Sequence, residues 1–178
     1  ITVAAGIILL SRPQFGSKIE DVKKEGVEVI IALDVSNSML AEDIQPDRLV
    51  RAKQAISRLV DNLDNDKIGM IVFAGDAYTQ IPITTDYVSA KMFLSTISPE
   101  MVPKQGTSIG AAISLGIRSF SPGEDKSKAM IIITDGENHE DNPMASAEDA
   151  AKAGVVIHTI GIGSSDGVPV PVISNGKK

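Results

Sequence analysis

The order of apolar and periodic segments constrains the fold of this 178-residue chain more than any other feature. Several short runs are apolar throughout, and the longer segments between them carry apolar residues at every third or fourth position. Runs of the first kind are typical of strands buried on both faces of a parallel sheet. Segments of the second kind indicate helices that cover such a sheet. The expected strands are 28–33, 67–74, 78–84, 129–134 and 155–162, with a last strand at 168–173 left open, and the expected helices are 48–63, 86–97, 108–120 and 144–153.

The run at 78–84 is expected to be an antiparallel edge strand. It contains Pro82, which has no backbone N–H to donate within a sheet, and it follows the short turn Gly75-Asp76-Ala77. The sequence therefore predicts an α/β fold: a doubly wound, mostly parallel sheet with one antiparallel edge strand and helices on both faces, similar to a Rossmann fold. Folds of this kind bind ligands at the carboxyl ends of their strands.

The composition excludes several classes of function. The chain has no cysteine, so disulfides, zinc–thiolate sites and thiol catalysis are ruled out. Its formal net charge is −6, whereas a domain that binds nucleic acid is expected to carry a basic stripe. We therefore expect no nucleic acid among its partners.

The first ten residues differ in character from the rest of the chain. They carry no charged side chain, but they are too few to cross a bilayer, which takes roughly 20 apolar residues. The expectation is that 1–10 is the C-terminal part of a truncated transmembrane helix, that 11–26 is a polar linker, and that 27–178 is the folded domain. The alternative is that 1–10 is a buried strand or helix of the domain itself.

Oxygen-bearing side chains follow the first and fourth predicted strands at the point where each ends, and another opens the third predicted helix. Because the carboxyl ends of adjacent parallel strands meet at one sheet edge, these side chains are expected to lie together. Carboxylate and hydroxyl oxygens suit a hard divalent cation, Mg²⁺ first and Mn²⁺ or Ca²⁺ as alternatives. The candidate metal ligands are Asp34, Ser36, Ser38, Thr107 and Asp135.

These candidates form a known set of motifs. The sequence D-x-S-x-S from Asp34, a threonine in a Gly-Thr pair, and a later T-D-G resemble the metal-ion-dependent adhesion site of von Willebrand factor A domains, over about 27–162. The resemblance implies that the three hydroxyl groups bind the metal directly or through water, and that the two aspartates act directly or through water. It also implies that an Asp or Glu of a partner protein completes the coordination shell.

Three stretches, 33–39 (LDVSNSM), 47–49 (DRL) and 134–139 (TDGENH), are similar to the bacterial membrane-anchored Bat (aerotolerance) proteins. In those proteins an A domain follows an N-terminal transmembrane segment, which fits the apolar start of this chain. The resemblance implies a bacterial cytoplasmic membrane location, a domain on the periplasmic side, and room for a complex with related membrane proteins. The basic residues at 12, 18, 23 and 24 favour the opposite side.

Three functions are compatible with the motifs. The leading hypothesis is a protein-interaction module that binds a partner's acidic residue through the cation. The second is a structural scaffold whose metal only stabilises loops. The third is a metal-dependent phosphohydrolase with Asp34 as nucleophile. It is disfavoured because such enzymes need a second carboxylate two residues on, where this chain has Ser36. We therefore expect a protein that is not an enzyme.

Further predictions concern residues that lie beside the motifs. Met39 is interpreted as a core residue, and Glu42 and Asp43 as part of a solvated face. His158 lies in an apolar run and is interpreted as a core or edge residue. For 137–139 a role at the rim of the site is left open.

Overall fold

The computed structural model describes residues 26–123, 126–136 and 141–164, so 1–10 and nearly all of the linker 11–26 lie outside the described residues. The described part contains five strands, four α-helices and two short 3₁₀ helices. The strands are β1 (Glu28–Asp34), β2 (Lys67–Phe73), β3 (Ala77–Thr84), β4 (Lys128–Thr134) and β5 (Val155–Gly161). The α-helices are α1 (Arg48–Asp61), α2 (Tyr87–Thr96), α3 (Ile109–Ser119) and α4 (Pro143–Lys152), and the 3₁₀ helices are Asn37–Leu40 and Pro99–Met101.

The five strands form one sheet in the order β3-β2-β1-β4-β5. β1 pairs in parallel with β2 and β4, β4 pairs in parallel with β5, and β3 runs antiparallel to β2 at the edge. This confirms the predicted fold class, including the edge position of the strand that contains proline. The strand order reverses at β1, and the carboxyl ends of strands at such a reversal are where folds of this kind bind ligands.

The sheet is covered on both faces because side chains of its central strand alternate between two cores. Val29, Ile31 and Leu33 share one core with α1 and α2, whereas Ile30 and Ala32 share the other with α3 and α4. All seven residues of β1 are buried. The carboxyl end of β1 is therefore held from both sides, and the loop that follows it starts from a fixed point.

The first helix starts as its sequence predicts and ends slightly earlier. Asp47 caps α1 by accepting a hydrogen bond from the Val50 N–H at 2.7 Å. The helix ends at Asp61, two residues before the predicted end. The turn that follows is tight, with Asn65 at a φ of 65°, a conformation in which asparagine is commonly found.

The strand β5 is less buried than its apolar sequence predicts. Val155 is buried, but Val156 and Ile160 are 57% and 44% exposed, and His158 is exposed as well. The reason is that β5 lies at the edge of the described sheet, so His158 is an edge residue rather than a core residue. Within the described ranges, no helix is both long and apolar enough to cross a membrane.

Candidate metal centre

Asp34 is the last residue of β1, and its fully buried carboxylate is fixed by two hydrogen bonds. Its Oδ1 accepts from the backbone N–H of Ser36 at 2.8 Å. Its Oδ2 accepts from the hydroxyl of Thr134, the last residue of β4, at 2.7 Å. The carboxylate therefore joins the ends of two neighbouring strands, and its orientation is set by groups from both.

The two serines of the motif meet through a turn. In an extended segment, Ser36 and Ser38 would point the same way because they are two residues apart. Instead, a 3₁₀ helix begins at Asn37, and it brings the two Oγ atoms to 2.9 Å from each other. Ser36 is only 4% exposed, whereas Ser38 is half-buried. The pair therefore presents two hydroxyl oxygens together, with Ser38 on the more open side.

Thr107 is brought to the same edge of the sheet by the loop that precedes α3. The N–H of Ser108 donates to the carbonyl of Ala74, directly after β2, at 2.7 Å. The loop reaches this position through Gly106, whose φ of 116° is in the region that favours glycine. Gln105 links the loops, because its Oε1 accepts from the N–H of Asn37 at 3.2 Å. The Thr107 side chain is buried, and Gln105 and Ser108, on either side of it in the chain, are hydrogen-bonded to the loops that follow β1 and β2.

Asp135 follows β4 directly, and its side chain is 1% exposed. Its Oδ2 accepts a hydrogen bond from the guanidinium NH1 of Arg48 at 3.0 Å. The next residue, Gly136, donates its N–H to the hydroxyl of Thr134 at 3.2 Å. The hydroxyl of Thr134 therefore contacts both the Asp34 carboxylate and the loop that carries Asp135. All five predicted residues lie at the carboxyl edge of the sheet, and their binding of a cation stays a prediction.

The electrostatic state of the site favours an added positive charge. Burial, the largest cause, and repulsion by the nearby Asp135 carboxylate raise the pKa of Asp34 from 3.8 to about 6. The hydrogen bonds from Ser36 and Thr134 act in the opposite direction without cancelling the effect of burial. A cation beside Asp34 would compensate for the lost solvation, as buried carboxylates require.

The Arg48 guanidinium also contacts Asp43, which adds a third carboxylate beside those of Asp34 and Asp135. Arg48 donates from Nε and NH2 to the two carboxylate oxygens of Asp43, each at 2.8 Å. With Asp34 and Asp135 ionised, three carboxylates and one guanidinium leave a net charge of −2. A divalent cation would balance this charge. Nowhere in the described residues do three Asp, Glu, His or Cys side chains form a metal-binding group on their own.

The comparison with known proteins decides the family. The family model of the von Willebrand factor type A domain matches residues 28–178. The chain belongs to this family.

Two solved structures are similar to this A domain in both sequence and fold. An aerotolerance-related membrane protein from Bacteroides fragilis is 59% identical, with a TM-score of 0.80, over 84% of this chain and 75% of that one. BatB from Bacteroides thetaiotaomicron is 60% identical, with a TM-score of 0.81, over 85% of this chain and 74% of that one. The resemblance to the Bat proteins is thereby confirmed.

A more distant structure shares the fold alone. Proximal thread matrix protein 1 from the mussel byssus, whose structure is described with a zinc-occupied MIDAS motif, is 22% identical with a TM-score of 0.65. It is matched over 76% of this chain and 38% of its own. The chain spans about half the length of the curated relatives that it matches, 48% and 58% in two cases.

The sequence did not reveal the role of Arg48 and Asp43 in this A domain. Asp43 was expected on a solvated face, and this is wrong, because its side chain is 1% exposed and paired with Arg48. The guanidinium holds the pKa of Asp43 well below its usual range. The sequence contained one indication that Arg48 has a special role. Arg48 opens α1, and a basic residue in the first turn of a helix is opposed by the helix dipole. Met39 is buried as expected, whereas 137–139 lie outside the described residues.

Proposed function

We propose that this A domain is a metal-dependent protein-interaction module of a bacterial membrane-anchored protein. In this proposal a divalent cation, held by Asp34, Ser36, Ser38, Thr107 and Asp135, binds an acidic residue of a partner protein. The observation that carries the proposal is the grouping of two buried carboxylates with the hydroxyls of the same motif at one sheet edge. The resident ion is Mg²⁺, with Mn²⁺ or Ca²⁺ as alternatives, because the donors are all oxygens.

The mixture of donors explains why such a site would bind a carboxylate. Serine and threonine hydroxyls are neutral, so a cation that they ligate keeps much of its positive charge. Ser38 is half-buried while Ser36 and Thr107 are buried, so the cation would be approached from the Ser38 side. A partner's Asp or Glu would bind there as the remaining ligand. The mussel protein, which shares this fold, is described with a zinc-occupied MIDAS motif, and this supports a divalent cation in the proposed site.

The membrane location is proposed from the relatives and the sequence. A protein 59% identical to this chain is described as an aerotolerance-related membrane protein. We place the domain on the periplasmic side of the cytoplasmic membrane, anchored through the segment at 1–10, where it can form a complex with related membrane proteins. The chain has no cysteine, so an exposed Ser95→Cys variant of the membrane-anchored protein can be labelled in intact spheroplasts with an impermeant maleimide. Labelling above the unsubstituted protein supports this side, and its absence contradicts it.

The geometry of Asp34 disfavours phosphohydrolase chemistry. Both carboxylate oxygens accept hydrogen bonds, from Ser36 and Thr134, and the side chain is fully buried. A nucleophilic carboxylate needs an oxygen that is directed at the substrate. The same contacts are well suited to a group that orients a cation.

A pull-down from solubilised membranes of the source bacterium tests the interaction. The immobilised domain is compared in Mg²⁺ and in EDTA, and against Asp34→Asn in Mg²⁺. The matched control is Asp149→Asn, because the Asp149 side chain is 67% exposed and lies in α4, away from the site.

The proposal expects one or more proteins that bind the wild type and the control in Mg²⁺ but are lost in EDTA and with Asp34→Asn. Replacing single Asp or Glu residues of the captured protein then locates the bound carboxylate. Capture that is unchanged in EDTA contradicts a metal-mediated contact. Metal binding by the domain with no metal-dependent partner would instead favour the scaffold function.

A further inference from the structure

Arg48 is bound on two sides by carboxylates, and only one of them belongs to the predicted metal site. Its Nε and NH2 form a two-pronged contact with Asp43, and its NH1 donates to Oδ2 of Asp135 at 3.0 Å. The Arg48 side chain is 12% exposed and both carboxylate side chains are 1% exposed. We propose that Arg48 is a positioning residue that orients Asp135 toward the cation. This rests on the proposed function, since it concerns the same site.

The guanidinium is held independently of the metal site. Asp43 accepts both hydrogen bonds on one side of it, and one of its oxygens also accepts from the N–H of Ser164 at 2.6 Å. Gly163 packs against it, since a Cβ at that position would lie 3.4 Å from the Arg48 Cζ. Asp43 therefore fixes the position of the Arg48 guanidinium, and the planar guanidinium links Asp43 to Asp135. The rotation of the Asp135 carboxylate is set by a group outside the predicted metal ligands.

If Arg48 acted on the site only through its positive charge, it would oppose metal binding. A positive guanidinium in contact with a ligand carboxylate repels an arriving cation and competes with it for that carboxylate. Arg48 also opens α1, where the helix dipole disfavours a basic residue. Its fixed placement is therefore explained by orientation. Arginine suits this purpose better than lysine, because only a guanidinium can bind one carboxylate with two parallel hydrogen bonds and still donate to a second.

Two variants separate orientation from charge. Arg48→Lys keeps the positive charge but not the planar fork. The double variant Arg48→Met with Asp43→Asn removes one charge of each sign. The net charge of the site is therefore unchanged, but the guanidinium that links Asp43 to Asp135 is lost. The matched control is Arg51→Lys, the same substitution at an exposed position one turn further along α1.

Three measurements are made on each protein. Isothermal titration calorimetry gives the Mg²⁺ affinity, and the electron paramagnetic resonance spectrum of bound Mn²⁺ reports the geometry of its ligands. Urea unfolding in EDTA reports the stability of the metal-free fold. The proposal expects an affinity loss of about tenfold or more in both variants and an altered Mn²⁺ spectrum, as is typical when a group that orients a metal ligand is removed. The control keeps wild-type affinity and spectrum.

Equal Mg²⁺ affinity and an unchanged Mn²⁺ spectrum in Arg48→Lys would overturn the proposal. So would wild-type affinity in the double variant, because a residue that acts only by charge leaves that protein unaffected. If the double variant does not unfold cooperatively in urea, the result for Arg48→Lys alone tests the proposal. A wild type that binds neither Mg²⁺ nor Mn²⁺ would overturn the proposed function and the role of Arg48 together, whereas binding by all the proteins with the affinity of the wild type would overturn only the role of Arg48.

Discussion

Asparagine at position 34 is expected to stabilise the metal-free domain at neutral pH. The side-chain amide keeps the oxygen that accepts from the N–H of Ser36, and its NH₂ group replaces the carboxylate oxygen that lies 2.7 Å from the Thr134 hydroxyl. That hydroxyl can accept where it now donates. The substitution therefore removes a buried charge with little change in shape.

The magnitude follows from the pKa of Asp34. Burial raises this pKa from 3.8 to about 6, so the folded domain favours the protonated carboxyl group. The stabilisation from protonation is fully present below the unfolded-state value of 3.8 and is lost as the pH rises through about 6. Because one pKa unit corresponds to about 1.4 kcal/mol, the ionised carboxylate destabilises the metal-free fold by about 3 kcal/mol above pH ~7. Asparagine, which is neutral at every pH, avoids this penalty.

Urea denaturation followed by circular dichroism in EDTA measures the effect over a pH series. The difference in unfolding free energy between Asp34→Asn and the wild type should be close to zero at a pH of about 4 and should rise to about 3 kcal/mol at a pH of about 8. Other carboxyl groups titrate in the same range, but they are common to both proteins and largely cancel. The exposed control Asp149→Asn should show no such rise.

Two results would refute this reasoning. A difference that is independent of pH would mean that Asp34 does not carry the buried charge described above. An Asp34→Asn variant less stable than the wild type at a pH of about 8 in EDTA would mean that the hydrogen bonds to Ser36 and Thr134 matter more than the charge.

Further predictions concern the metal, the threonine loop and the first helix cap. Mg²⁺ at a hundred times its Kd should raise the unfolding free energy of the wild type by about 2.7 kcal/mol and leave Asp34→Asn unchanged, as urea unfolding in Mg²⁺ and EDTA will show. Thr107→Val should weaken Mg²⁺ binding about tenfold by calorimetry and cost no more than about 1.5 kcal/mol in EDTA, since only a hydroxyl is lost. Gly106→Ala should destabilise the fold by about 1–3 kcal/mol in urea, because its φ of 116° strains an alanine. Asp47→Ala should cost about 1 kcal/mol through the lost contact with the Val50 N–H while keeping Mg²⁺ affinity, which separates fold from site.

Local patterns were sufficient to predict the fold class and the strands of the sheet. Apolar runs located the five strands within one or two residues of their observed bounds, and Pro82 identified the antiparallel edge strand. The five candidate ligands could be grouped because each follows a strand or opens a helix at the same edge. This information is contained in short segments, since the position of a residue along its strand fixes the sheet edge at which it lies.

The contacts that hold the site could not be predicted in the same way. Arg48 and Asp135 are 87 positions apart, and no local periodicity relates two such residues. Asp43 follows Glu42 in a polar stretch, so its local sequence indicates solvent exposure, whereas its burial results from tertiary pairing. The convergence of Ser36 and Ser38 likewise depends on a 3₁₀ turn rather than on extended backbone. These features depend on how loops pack, which residue spacing alone does not encode.

Direct titration of Mg²⁺ into the chelator-treated domain tests the central claim. Isothermal titration calorimetry should give a single site per domain for the wild type, with the heat of binding lost in a Ser36→Ala, Ser38→Ala double variant and retained in Asp149→Asn. Mn²⁺ should compete for the same site. Equal binding by the wild type and the double serine variant would contradict the account, because the proposed site holds its cation with the two hydroxyl oxygens that lie 2.9 Å apart.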